Sequence, residues 1–563
     1  MRRTPIGAGT PYTRLTARER ARALLDPGTF RELVGPADRI VSPHLPPQGV
    51  IPQPDDGVVA ARGTIDGAPA VVLSLDGTFL GGAIGEVGGA KIAGALELAA
   101  RDAAAGAPVR PVLLLETGGI RLQEANLGLL AVADIHAAIL DLRRHVRVVG
   151  VISGRIGCFG GMAIAAGLCT RLIMTAQGRL GLNGPQVIEQ EAGVGELDSR
   201  DRDLILRTVG GRRRTADGFA DTLVDDDAAE LRGAVRAAVA GAVPGASGHR
   251  SARVAEFTER LAGRAPGEGA SLDTAAGPTG AARPETAVKD RRGRAWIAAL
   301  TGAPVTASAD GPASVLVADG ELGGGAARFL AVVPDPVARW PRARAGEVGL
   351  DEGWALAARV RAAVGADAAL PAEEKRALVA IVDTPSQAYG YREEVRGVHQ
   401  ALAGAVDAYA EARHAGHPVV ALVVGQAISG GFLAHGLQAD RIVALDDAAV
   451  VIQAMSREST ARLTRRTLPE LGAIAREVPS TAYDVRSFAT LGALHRLVTG
   501  VDGDAPDTDT VGTAAVRAAL EDAIADARAS PRGLSARLRS VEARRNRAAS
   551  RDVRRRLAET WDE

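Results

Sequence analysis

A chain of 563 residues is too long for one hydrophobic core, so two or more domains are expected. Its 67 lysines and arginines cancel its 67 aspartates and glutamates, and aromatic residues make up only 3%, which argues against nucleic acid or an anionic membrane surface as partner. Cys158 and Cys169 are too few for a disulfide framework or a Cys-x-x-Cys zinc site; no stretch approaches the ~20 apolar residues of a membrane span, and the start MRRTPIGAGTPY lacks the apolar core of a secretory signal, so a cytoplasmic protein is expected.

Thr16-x-x-Glu19, in TARERARALLD, has the form of a capping box and predicts a helix start. Residues 69–79 (PAVVLSLDGTF), 112–115, 146–152 and 171–174 have the β-branched, alternating look of strands. Lysine is nearly absent: only Lys91, Lys289 and Lys375 occur in a chain biased towards arginine, alanine and glycine. Lys91 is therefore a candidate binding group, with an ordinary surface lysine as the alternative. Across residues 124–144, Leu127, Leu130, Ala131, Ile135, Ile139 and Leu142 recur at helical spacing. Strand, helix, strand predicts a βαβ crossover. Residues 262–287, AGRAPGEGASLDTAAGPTGAARPETA, hold almost nothing to bury and predict a flexible linker.

A second organised region begins near Trp296 and repeats the first. ALVAIVDTPSQAYG is again a strand ending in an acidic residue and a turn, followed by a helix predicted over residues 393–413. PVVALVVGQAISGGFLAHGLQADRIVAL, set beside RVVGVISGRIGCFGGMAIAAGLCTRLIM, gives the same order: strand, glycine, short loop, Gly-Gly, small-residue helix, strand. The repeat predicts two domains of one α/β fold, over residues 1–261 and 288–527, facing each other across a pseudo-two-fold axis. Residues 528–563 form an arginine-rich helical tail, either a solvated helix face or a dock for an acidic partner.

A Gly-Gly pair at a helix entry presents free amides and the positive end of the helix dipole, so it holds an anion or a transient oxyanion. Neither half contains a P-loop, and GRIGCFGG is no dinucleotide fingerprint. Four amide-rich turns remain: Gly118-Gly119 with Gly160-Gly161, and Pro385-Ser386-Gln387 with Gly430-Gly431. Amides converging on one oxygen make an oxyanion hole, whose loss of one donor raises a barrier by roughly 3–4 kcal/mol; glycines for tight helix–strand packing are the alternative. Two facing holes suit an enolate on one side and a carboxylate on the other. No Gly-x-Ser-x-Gly occurs. His435 is the best-placed histidine, as a site residue or a structural one. Cys158 reads as a small buried residue. Glu116 and Asp383 end equivalent strands and either hold the following turn or sit in a cleft.

The motif TGGIRLQEA resembles the Ser-Gly-Gly-Ala-Arg-Met-Gln-Glu signature of acyl-CoA carboxyltransferases, and LGLNGPQVIEQ resembles a segment of their β subunit. DTPSQAYG and SGGFLAHG resemble the α subunit. These likenesses imply the crotonase-like (ClpP/crotonase) β-β-α spiral, used twice. Longer runs, among them SPHLPPQGVIPQPDDGVVAARGT and AYDVRSFATLGALHRLV, resemble the β and γ subunits of biotin-independent malonate decarboxylases, fused through the linker. That resemblance implies decarboxylation of a malonyl thioester to an acetyl thioester, without biotin or metal. The substrate rides a phosphopantetheine-like, dephospho-CoA-derived arm of an acyl carrier protein (δ) subunit, and an acyl-transferase (α) subunit is a further expected partner. It implies catalytic roles for Gly118, Gly119, Gly160, Gly161, Ser386, Gln387, Gly430, Gly431 and His435, and arm or substrate binding by Lys91, Arg121, Gln123 and Asn183. One departure stands out: Gln453, in VIQAMSRES, occupies a position where the family's γ subunits carry histidine. The alternatives are a biotin-dependent acyl-CoA carboxyltransferase and a non-catalytic scaffold that binds the carrier through the arginine tail.

Overall fold

The computed structural model describes residues 9–154, 156–262, 292–305, 310–507 and 510–563. The expected linker, apart from Ala262 at the end of a helix, lies outside the described residues.

The first half is built on a seven-stranded mixed sheet in chain order: β1 (Arg31–Leu33), β2 (Val58–Ile65), β3 (Ala68–Leu75), β4 (Arg110–Leu114), β5 (Val149–Ile152), β6 (Arg171–Thr175) and β7 (Thr222–Val224). β1, β2 and β3 pair antiparallel; from β3 onward every pairing is parallel. The parallel crossovers run through helices α2 (Glu86–Ala104), α3 (Asn126–Leu142) and α4 (Gly161–Leu168). The predicted capping box opens helix α1 (Ala17–Leu24), with Thr16 and Glu19 bonded reciprocally.

The second half repeats this plan. Its sheet runs β8 (Val315–Leu322), β9 (Gly325–Val332), β10 (Ala377–Thr384), β11 (Val419–Ile428), β12 (Arg441–Leu445) and β14 (Arg496–Val498), with β13 (Val451–Gln453) pairing off β11. Again the first pair is an antiparallel hairpin and the rest are parallel. Both hairpins close through two residues of positive φ, Asp66-Gly67 and Gly323-Gly324, the geometry that matches the twist of paired strands. The helix predicted over 393–413 is broken into Tyr391–Val395 and Val398–His414. The break falls at Gly397, against which Phe219 of the first half packs.

The halves share a reciprocal joint. Helix α4 packs on Val398–His414 of the second half, while the short helix Ser429–Ala434 packs on α3. Asn126, at the start of α3, donates to the carbonyls of Ile452 (3.0 Å) and Ala482 (3.2 Å). Arg143 pairs with the buried Asp407, which also accepts from Ser251 at 2.8 Å.

The arginine tail packs on the first half by one face and leaves Arg544, Arg545, Arg551 and Arg555 exposed on the other. Its last helix, Ala548–Thr560, returns to the first half and packs along α2. Val553, Leu557 and Trp561 are buried there, and the Trp561 indole donates to Asp102 at 2.6 Å. Arg554 pairs with Glu97 and Asp134, and Arg547 with Asp134. The tail's apolar residues at helical spacing set its inward face, which buries Trp561 and two aliphatic side chains, and Arg547 and Arg554 add ion pairs to Asp134 on the same side.

Candidate active site

Each half presents the same pair of touching turns. In the first, the turn after β4 is held by Ile84, whose N–H donates to Gly119 O (2.8 Å) and whose carbonyl accepts from Arg121 N–H (2.9 Å). In the second, Val348 does the same with Ser386 O (3.1 Å) and Ala388 N–H (2.9 Å). Gly119 therefore corresponds to Ser386, and Ile120 to Gln387. The acidic strand ends correspond as well. Glu116 accepts from the Ile156 amide and Asp383 from the Gln426 amide (2.9 Å). A Cβ at Gly154 or Gly425 would collide with those carboxylates. Glu116 and Asp383 thus hold the turns.

The helix-entry turns match one residue away from the Gly-Gly alignment. Thr117 bridges Cys158 in the first half as Thr384 bridges Ala427 in the second. Counting on, Gly160 corresponds to Ser429 and Gly161 to Gly430. The backbone agrees, since Gly160 and Ser429 both take left-handed φ, +61° and +56°. A serine in that conformation is strained.

Not every glycine amide is free. Gly118 N–H donates to Gly81 O (2.9 Å), Gly119 N–H to Thr117 Oγ1 (3.0 Å) and Gly160 N–H to Leu182 O (2.8 Å). These bonds remove Gly118, Gly119 and Gly160 as oxyanion donors. The Ile120 and Gly161 amides make no hydrogen bond to any described residue. The two turns abut, with a Cβ at Gly160 falling 3.9 Å from Ile120 N. In the second half the Gly430 N–H is filled by the chain itself: it donates to Gln387 Oε1 at 2.9 Å. Gly431 packs over Ser386, a Cβ there lying 2.5 Å from the Ser386 carbonyl oxygen.

Asn183 joins the two halves at this place. Its amide nitrogen donates to Ala388 O (3.0 Å) and Glu394 (2.9 Å), and its oxygen accepts from Gln387 Nε2 at 2.8 Å. Glu394 also takes the Leu182 and Asn183 backbone amides. Burial pushes the Glu394 carboxyl up, opposed chiefly by the Arg214 guanidinium at 3.6 Å. A continuous polar chain therefore runs from the Gly160 turn through Leu182, Glu394, Asn183 and Gln387 to Gly430. Sequence reading found Asn183, Gln387, Gly161 and Gly430, and missed Ile120 and Glu394; the EE pair after the second turn was the available signal for Glu394.

The remaining expected residues lie elsewhere. Lys91 is fully buried and donates to the carbonyls of Asp55 (3.2 Å) and Val58; burial pushes its ammonium down to about 8. Arg121 is locked between Asp56 and Glu124, both at 2.7 Å. Neither is placed to reach a substrate. Gln123 is half-buried, and its carbonyl accepts from Gln48 at 2.6 Å. His435 is fully buried, its ring spent on Tyr409 OH (2.9 Å) and Ile381 O (3.0 Å), and burial holds it down to about 4. It is a core histidine. Burial likewise pushes the Cys158 thiol far up. Among the described residues no His/Cys/Asp/Glu group could hold a metal ion, and no helix is long and apolar enough to cross a membrane.

Beside these turns a small cleft opens between the halves. Gln48, Leu122 and Ala125 line it from the first half, and Gln453, Thr460 and Tyr483 from the second. The Gln453 amide is clamped, donating to Thr481 O (2.8 Å) and Ala482 O (3.1 Å) and accepting from Ala454 N–H (2.7 Å).

Residues 10–257 match the carboxyl transferase domain family, and residues 343–561 match the malonate decarboxylase gamma subunit family. The chain is 44% identical, over 39% of its length and 73% of the relative's, to malonyl-S-ACP:biotin-protein carboxyltransferase MADC of Malonomonas rubra. The chain belongs to the malonate decarboxylase group of the carboxyltransferase family, with β-like and γ-like halves fused. A second Malonomonas rubra relative of this malonate decarboxylase-type chain, MADD, is 40% identical over 29% of the chain and 57% of its own length. Among solved structures, a chain of a Pseudomonas malonate decarboxylase hetero-tetramer in complex with malonate is 57% identical, covering 45% of this chain and 91% of its own, with a TM-score of 0.44.

Proposed function

We propose that the fused chain decarboxylates a malonyl thioester, presented on the phosphopantetheine-like arm of an acyl carrier protein, to an acetyl thioester and carbon dioxide. The observation that carries this reading is the duplicated pair of amide turns, tied across the joint by Asn183 and Gln387. Loss of carbon dioxide leaves an electron pair on the carbon next to the thioester carbonyl, which delocalises onto that oxygen as an enolate. The free amides of Ile120 and Gly161 suit that oxygen, since donors fixed in advance stabilise charge without reorganising. The Gly430 amide suits the departing carboxylate once the Gln387 side chain has moved aside. The carbanion then takes a proton from water, leaving hydroxide, which gives the acetyl thioester. The cleft between the halves is narrow, so a slender arm rather than a bulky group is the occupant it suits. Gln453 in its wall carries no titratable proton. The reading includes the crotonase-like spiral for each half, domain limits at 1–261 and 288–527 joined by residues 262–287, a carrier (δ) and an acyl-transferase (α) subunit as partners, and no biotin.

A second reading rests on the name of the Malonomonas rubra relatives: transfer of the carboxyl group to a biotin protein in place of its release. One experiment separates them. Purified chain is given malonyl-carrier protein with and without a biotin acceptor, and carbon dioxide and carboxybiotin are measured. Carbon dioxide release without biotin supports the proposal; turnover only when biotin is present sinks it. Tight carrier binding with no product in either arm would favour a scaffold.

A further inference from the structure

Three buried guanidiniums meet at the joint between the halves, far more richly supplied with donors than with acceptors. Arg413 sits on the helix Val398–His414, while Arg537 and Arg547 belong to the returning tail. None is more than 4% exposed. Arg413 donates to the carbonyl and side-chain oxygens of Gln438, and Arg537 to the carbonyls of Leu437 (2.9 Å) and Ala439 (2.5 Å), so both grip one three-residue segment. Gln438 in turn donates to Ala133 O (3.2 Å) in α3, next to Asp134, which pairs with Arg547 at 3.1 Å. The three are therefore one cluster.

The accounting of this cluster does not close. Neither Arg413 nor Arg537 ion-pairs with any described residue; both meet only neutral oxygens. Asp134 is shared between Arg547 and Arg554. Asp440 accepts from Val419 N–H, and Asp141 is taken by His414 at 2.5 Å. Five buried donors have no acceptor: Arg413 Nε and Nη2, Arg537 Nε, and Arg547 Nε and Nη1. Asp134 and Asp440 supply counter-charge to part of the cluster, but buried donors without acceptors are strongly destabilising. Burial pushes the Arg537 guanidinium down to about 9, with Arg413 and Arg547 adding to the shift and Asp134 and Asp440 opposing it.

We infer that these three arginines form a binding site for a small inorganic anion, a halide or phosphate, which completes the joint between the halves. Such an anion accepts several charge-assisted hydrogen bonds at once. It links α3 of the first half, the helix Val398–His414 of the second and the tail. The site shares no residue with the amide turns, so it stands or falls apart from the proposed reaction.

The test uses the full chain, desalted into sodium gluconate. Thermal unfolding is followed as sodium chloride or sodium phosphate replaces gluconate at constant ionic strength. A ligand that binds only the folded state raises Tm saturably; a rise of a few degrees with one anion is expected, and the effective arm tells halide from phosphate. Arg537→Lys should lose the saturable rise. If that variant does not fold, crystals of the native chain soaked in bromide or in phosphate decide the matter, with density expected between the three guanidiniums. Density for neither anion there, a Tm that responds to neither, or a rise that Arg537→Lys retains overturns the inference.

Discussion

The Gln387 side chain occupies, in the resting structure, the donor that the proposed reaction needs. Its Oε1 accepts from Gly430 N–H at 2.9 Å and its Nε2 donates to Asn183 at 2.8 Å. A substrate oxygen can use the Gly430 amide only after both bonds break. Each is worth about 0.5–1.5 kcal/mol net, so displacement costs roughly 1–3 kcal/mol, or about 5- to 150-fold in binding. In Gln387→Ala that cost vanishes, although water entering this half-buried turn recovers part of it. The lower end, about a fivefold drop in KM with kcat within about threefold of the parent, is the expected result in a steady-state assay of carbon dioxide release from malonyl-carrier protein. A kcat reduced by about 100-fold at unchanged KM would refute the reasoning, because the side chain would then be acting on the substrate itself.

His435→Gln should leave the pH profile of kcat in place while lowering Tm, since it removes a core bond to Tyr409 or Ile381; loss of a limb of the profile would return His435 to the site. Burial pushes the Glu352 carboxyl up from 4.5 to about 7. Between those values the folded chain binds more protons than the unfolded one, so this group's contribution to stability falls as pH rises through the window. Urea unfolding at pH 5 and pH 7.5 should show a smaller difference in Glu352→Gln than in the parent. Trp561→Ala should destabilise the chain by about 3–5 kcal/mol, as for a large buried aromatic. Protease cleavage in α2 should rise with it, and an unchanged cleavage rate would mean the tail does not protect that helix.

Much of this architecture was legible because duplication doubles every signal. The parallel strands and the helix α3 follow from run length and period, and the second half repeats them. The two hairpins were written at Asp66-Gly67 and Gly323-Gly324, a turn signature that hydrophobic pattern alone does not exploit. The break falls at Gly397, a glycine of left-handed φ; that this position must stay glycine was not legible, because the ring that excludes a Cβ there is Phe219, nearly 180 residues upstream. At the site, spacing located the turns but not the free donors. Which amide is free depends on partners such as Gly81 O, Leu182 O and a threonine hydroxyl, none adjacent in sequence except Thr117. Lys91 stood out because lysine is nearly absent from the chain, and Arg121 because its motif resembles the carboxyltransferase signature; here Lys91 donates to buried carbonyls and Arg121 is held by buried carboxylates.

The returning helix Ala548–Thr560 also sets a timetable. The face of α2 that it covers leaves the ribosome more than 400 residues before its cover does. At about 5–20 residues per second, that surface waits from roughly 20 s to more than a minute. During translation the first half must therefore tolerate an uncovered apolar stripe, and Gly94, against which Arg554 and Leu557 later pack, keeps that stripe shallow. The cover of α2 thus waits until the tail has been made, and a nascent chain stalled within the second half would present α2 to any chaperone or neighbour that binds apolar helices.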